Sequence, residues 1–300
     1  MKKILYIITL LVAVISTQAV AQESSIFPRG EIATNTDDYT GTIWLNILSK
    51  ADSTFSFNVD LATYKPGSKL NWHIHPGGQI LLITKGTGYY QEKGEPVQIV
   101  HKADVIKSSP GVEHWHAAAP NSSFAYIAVT PTQKGKTIWQ QQVTENEYHN
   151  VNPPQAQKDS AKVRGASIFP KGLVAPNTDD YTGTVWLNGL SRADSVFHFN
   201  VIRAIFAPGS RLRWHIHPAG QILLITQGSG YYKEKGKPGQ IVHKGDVIKS
   251  PPGVAHTHSA APNSSFVYIA IESNRKGGVE WLKRVTDEEY HSISTQAQNK

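Results

Sequence analysis

The chain of 300 residues contains no cysteine and a single methionine. No disulfide can staple it, so its stability has to come from buried apolar surface and from any ions it holds. It has no Lys/Arg tract interleaved with aromatics; basic residues are scattered among acids in turn-like segments such as Gln91-Glu92-Lys93-Gly94. The net charge of +7 therefore reads as a solvated surface, and no nucleic-acid partner is expected. No G-x-S-x-G elbow, phosphate loop or dinucleotide fingerprint is present, which sets aside the serine-hydrolase and nucleotide-binding classes. What is there is ordinary for a core-forming globular protein: 39% apolar and 18% charged residues.

The first residues combine Lys2-Lys3, an apolar run from Ile4 to Ile15 and a small-residue segment ending Ala19-Val20-Ala21. These are the three parts of a secretory signal peptide over 1–21, with cleavage expected after Ala21 and a periplasmic or secreted mature protein of net charge +5. The apolar run falls well short of the roughly 20 residues a spanning helix needs, so no stable membrane anchor is expected after cleavage.

The sequence repeats itself. Ser25-Ile26-Phe27-Pro28 returns as Ser167-Ile168-Phe169-Pro170, and Asn35-Thr36-Asp37-Asp38-Tyr39-Thr40-Gly41-Thr42 returns as residues 177–184, at a constant offset of 142. A constant offset means that no loop changed length between the copies. The polar, proline-led stretch between them reads as a linker over 152–164, separating a first domain over 22–151 from a second over 165–293, with a tail over 294–300. Within each copy, short β-rich runs such as Phe55-Ser56-Phe57-Asn58-Val59 and Ile80-Leu81-Leu82-Ile83 alternate with glycine and proline turns. Val143-Thr144-Glu145-Asn146-Glu147 has the hydroxyl cap and following acid of a helix start. The fold class expected is all-β: two barrels or sandwiches, each closed by a short C-terminal helix.

Eight of the thirteen histidines fall in four H-x-H pairs, His73/His75, His114/His116, His215/His217 and His256/His258. Side chains in a strand alternate faces, so each pair points one way, and two pairs can converge on one point. Gln79 and Gln221 follow the turns after the first pair of each copy and can return an amide oxygen to the same point. Neutral imidazole and amide oxygen suit Mn, Fe, Zn, Ni or Cu. The expected ligands are His73, His75, Gln79 and His114 in the first copy and His215, His217, Gln221 and His256 in the second, with one divalent ion per domain. His116 and His258, about 7 Å farther along a regular strand, are expected to be either bases beside the ion or structural hydrogen-bonding groups. His101 and His243 are expected in an exposed turn. Trp44, Trp72, Trp139 and their counterparts Trp186, Trp214 and Trp281 are expected in the core, and Tyr126 and Tyr268 either line the cavity or pack.

At these residues the chain resembles a two-domain cupin, a β-barrel superfamily whose first motif is G-x5-H-x-H-x3,4-E-x6-G. Gly67, His73, His75 and Gly86 match it, as do Gly209, His215, His217 and Gly228, while Gln79 and Gln221 stand where most cupins have Glu. Pro110-Gly111-Val112-Glu113-His114 and Pro252-Gly253-Val254-Ala255-His256 resemble the core of the second motif. With Tyr39-Thr40-Gly41-Thr42, Trp115-His116 and Ala118-Ala119-Pro120, the glutamine narrows the resemblance to bacterial manganese-dependent cupin hydroxynitrile lyases and their carboxymuconolactone-decarboxylase-like neighbours. That resemblance implies jelly-roll-like barrels, manganese as the ion, a small-molecule substrate of the cyanohydrin kind, and a homo-oligomer that the fused copies partly mimic. A quercetinase-type Fe/Mn dioxygenase and a non-catalytic small-molecule-binding cupin are the alternatives.

Overall fold

The computed structural model describes residues 25–150, 168–176 and 179–298. The expected signal peptide and linker lie outside the described residues. Each repeat forms one antiparallel sheet curled on itself into two facing halves, and the two repeats share the same strand order. In the first, one half holds the strands Ile43–Ser49, Phe57–Tyr64, Phe124–Pro131 and Val105–Ser108; the other holds Gln98–His101, Glu113–Ala118 and His73–Ile74. The strand Gln79–Glu92 belongs to both: its start pairs with Phe124–Pro131 and Val105–Ser108, its end with Glu113–Ala118 and Gln98–His101.

One strand can serve two half-sheets only if it bends. The register slips between Ala125 and Tyr126 opposite Lys85 and Ile83, and Gly86 follows at φ 74°. A Cβ at Gly86 would lie 1.7 Å from the carbonyl oxygen of Ser123, so any other residue would push the half-sheets apart. The second copy repeats the device at Gly228.

The continuous apolar run Ile80-Leu81-Leu82-Ile83 follows from burial on both faces. Leu81 and Ile83 fill the barrel with Ile43, Tyr64, Phe124 and Tyr126. Ile80 and Leu82 face outward into a second core with Phe57, Val59 and Val129, completed by Phe199, Val201, Ile222, Leu224 and Ile271 of the other repeat. The barrels are thus packed sheet against sheet, with the Phe57 and Phe199 rings 5.0 Å apart at the seam.

Each barrel is closed by a helix. Thr144 caps Glu145–His149, its hydroxyl accepting from the Glu147 amide while the Glu147 carboxylate accepts from the Thr144 amide. Tyr148 is thereby set against Trp72 and Trp115. The second helix, Asp287–Gln298, is longer and runs into the residues expected to form the tail. Three of the tryptophans expected in the core are not in it: Trp186 is only partly buried, and two are exposed. Trp139 and Trp281 are 38% and 37% exposed, because each sits on a two-residue strand that pairs only with the short histidine strand at the sheet edge. Likewise, His101 and His243 each end a strand, and His101 is only part-exposed.

Candidate metal centre

The histidines converge because three short strands bring them to one end of the barrel. His73 pairs with His114 across adjacent strands, and His116 lies two residues along. His75 follows the strand into the turn Pro76-Gly77-Gly78, whose Gly78 has φ 79° and is packed so tightly that a Cβ would meet the Ser108 carbonyl at 2.8 Å. That turn delivers Gln79 to the same end. Ring centroids are separated by 5.0 Å for His73–His75, 4.4 Å for His73–His114 and 5.5 Å for His75–His114. The second barrel reproduces these at 5.1, 4.2 and 5.6 Å for His215–His217, His215–His256 and His217–His256.

The hydrogen bonds decide which ring nitrogen faces inward. His73 donates from Nδ1 to the Asn71 carbonyl at 2.8 Å, and His114 from Nδ1 to the Val112 carbonyl at 2.9 Å. A carbonyl only accepts, so Nδ1 carries the proton and Nε2 keeps its lone pair. The Nε2 atoms of His73, His114 and His116 and the Oε1 of Gln79 are all buried without a hydrogen-bond partner among the described residues. Burial, followed by the neighbouring imidazoles, holds His73 and His116 well below their ordinary pKa and brings His75 down to about 3. Burial also lowers His114. Neutral rings with inward lone pairs and an unpartnered amide oxygen are the donor set a divalent ion requires, since leaving so many buried acceptors empty is costly. His73, His114 and His116 have ligand atoms mutually within 4.8 Å, as do His215, His217 and His256. Each barrel therefore has a triad that could hold one metal ion. The first-barrel triad includes His116, which the strand spacing set outside the ligand shell.

A comparison with a family model matches the cupin domain twice, at residues 60–130 and 202–272, one match on each barrel. The chain is a two-domain cupin. This bicupin is 36% identical over 113 residues to an (R)-mandelonitrile lyase of Granulicella tundricola, an alignment covering 37% of this chain and 86% of the relative. Oxalate decarboxylase of Bacillus subtilis superposes with a TM-score of 0.55 at 14% identity, covering 85% of this chain and 81% of its own. Vicilin of Solanum melongena gives 0.56 at 13%, covering 85% of each chain. Those two likenesses establish the tandem-barrel fold.

The two sites of the bicupin differ just outside the histidines. In the first barrel, His116 Nδ1 lies 3.2 Å from the Tyr126 hydroxyl and 3.4 Å from that of Tyr64, and the two hydroxyls are 2.5 Å apart. In the second, Phe206 replaces Tyr64, and neither nitrogen of His258 has a hydrogen-bond partner among the described residues. Asp60, on the face of its strand that enters the first barrel, is raised to about 6 by burial; its counterpart is Ile202.

Beside the second set of expected neutral ligands lies one carboxylate, Glu272. Gln221 donates from Nε2 to Glu272 Oε1 at 2.7 Å, and that oxygen is 4.0 Å from His217 Nε2; the first barrel has Thr130 there, accepting from Gln79 Nε2 at 3.1 Å. The signal was present in the repeat itself, as a Thr-to-Glu difference at the 142-residue offset.

Proposed function

We propose that the bicupin is a metal-dependent lyase that cleaves cyanohydrins to an aldehyde or ketone and cyanide. The proposed ligands are His73, His75, Gln79 and His114 in the first domain and His215, His217, Gln221 and His256 in the second, with His116 and His258 as bases. The observation that carries the reading is the set of inward-facing neutral donors beside an unpartnered His116 Nε2. The 36% identity to a mandelonitrile lyase supports the reaction.

A divalent ion bound there would supply Lewis acidity at a substrate oxygen and attraction for an anion. The chain's own residues account for the proton. In the tautomer whose Nδ1–H donates to the Tyr126 hydroxyl, His116 Nε2 is the free basic atom, and it takes the proton of the cyanohydrin hydroxyl. The carbon–carbon bond then breaks, its electron pair leaves with cyanide, and the imidazolium returns the proton to give hydrogen cyanide. Tyr64, bonded to Tyr126, holds that hydroxyl against the His116 ring. Manganese is the proposed ion, the metal of the Mn(II) centres of the Bacillus subtilis oxalate decarboxylase, which shares the fold. The test is cyanide release from mandelonitrile by purified protein loaded with Mn(II); no release from mandelonitrile or aliphatic cyanohydrins overturns the reading. Glu272 favours one second reading, oxygen chemistry of the quercetinase kind at the second site, because non-haem oxygenases commonly keep a carboxylate ligand. Oxygen consumption with a phenolic substrate would identify it.

A further inference from the structure

We propose that Glu272 supplies an anionic oxygen to the metal site of the second domain, so that the two sites of one chain differ by a unit of charge and in affinity for the same ion. The proposal rests on the reading of both histidine clusters as metal sites.

Four observations carry it. Glu272 lies directly opposite Gln221 in the register of adjacent antiparallel strands, so the backbone itself directs it at the site. Its Oε1 is 4.0 Å from His217 Nε2, within the range for two atoms about 2.1 Å from a common ion, which are separated by about 3 to 4.2 Å. Among the described residues it accepts one hydrogen bond, from Gln221, whereas a carboxylate has about four lone-pair sites, so capacity remains for an ion. Finally, because a carboxylate only accepts, the Gln221 amide must turn its NH2 toward Glu272. Its Oε1 then faces the histidines, 3.3 Å from His256 Nε2. Thr130 in the first barrel can either donate or accept, carries no charge and leaves that centre with neutral donors alone. Glu272 comes from the strand Phe266–Ser273, a different strand from Gln221–Glu234, which begins with Gln221. It therefore adds a charge without displacing the amide.

The barrels also distribute their interior carboxylates differently. The first places Asp60 close enough to Tyr126 to raise that phenol further, with threonine at the ion site; the second has Ile202 and Phe206 in that region and its carboxylate at the ion site. Asp60 thus acts on Tyr126 in the first domain, whereas Glu272 in the second lies beside the histidines and also raises Tyr268.

Two single-site proteins test this: H73A/H114A retains the second site, and H215A/H256A retains the first. Each is titrated with Mn(II), free ion being followed by electron paramagnetic resonance and folding by circular dichroism. The second site should bind about tenfold more tightly, as expected for an added charged ligand. E272Q in the second-site protein should bring affinity down to that of the first site, because glutamine still accepts from Gln221 but carries no charge. T130E in the first-site protein should tighten binding and change the Mn(II) spectrum toward that of the second site. Equal affinities, or E272Q binding as tightly as its parent, overturn the proposal by making Glu272 only an orienting partner for Gln221. Absence of Mn(II) binding in both proteins overturns the metal-site reading itself, and this proposal with it.

Discussion

Asp60 presents the plainest cost at the scale of a residue. Its carboxyl is raised to about 6 by burial, so the folded protein holds a proton that the unfolded chain has already released between roughly pH 4 and 6. Where the native state binds more protons, stability falls as pH rises, and the loss is complete above the folded pKa. A shift of about two units corresponds to a cost of about 3 kcal/mol at neutral pH. D60N should therefore raise the melting temperature at pH 7.5, with the gain shrinking as pH falls and vanishing below about pH 4. A gain that is independent of pH would mean that packing, not ionisation, sets the effect. Tyr64 carries the second residue-scale prediction. Y64F makes the first barrel resemble the second around His116, removing one of the two hydroxyls near Nδ1. Cyanide release should drop by about tenfold with the metal content by elemental analysis unchanged, a loss at the low end of what positioned proton transfer contributes.

Among the elements, the terminal helix was legible in detail. Thr144 and Glu147 read as a capping box in the sequence, and both reciprocal hydrogen bonds are formed. T144A should cost about 1 kcal/mol, the usual value of such a cap, measured by urea denaturation. The loss should appear as a lower midpoint with an unchanged slope. The barrel strands and the H-x-H pairs were legible for the same reason: period-two patterning and glycine turns are local properties of the chain. Three features were not. The run Ile80 to Ile83 showed that a strand was buried, but assigning alternate residues to two different cores requires knowing that a second sheet packs on the first. Trp139 and Trp281 looked like core because tryptophan is apolar, and their exposure follows from an edge position that only tertiary pairing creates. Glu272 stands out from Thr130 at the repeat offset, but its place beside the site depends on the cross-strand register with Gln221. Site residues from one motif can be seen in sequence; a partner delivered across strands cannot.

For the whole molecule, the deciding feature is the core between the barrels. It is built twice over by the repeat: Phe57 and Phe199 meet at the seam, Phe197 packs on Gly78 of the first barrel, and Phe55 packs on Gly220 of the second. The turns that position Gln79 and Gln221 are thus braced by the opposite domain. Around this core, Lys107 pairs with Asp194 and Lys249 with Asp52, an exchange that maps onto itself when the repeats are swapped. These partly exposed pairs contribute little by themselves, so the apolar seam dominates. A surface that is nearly self-complementary should associate with itself when its partner is removed. Residues 22–151 expressed alone should form a homodimer by light scattering, since a monomer would expose Phe57, Val59, Ile80, Leu82 and Val129 as one apolar patch. F57D in that half should abolish dimerisation. If Gly78 depends on the facing aromatic to hold Gln79 in place, the dissociated half should also bind Mn(II) more weakly than the H215A/H256A full-length chain, which keeps the same first site with its brace intact. Equal binding by a monomeric half would show that each barrel positions its own ligands, and that the seam serves stability alone.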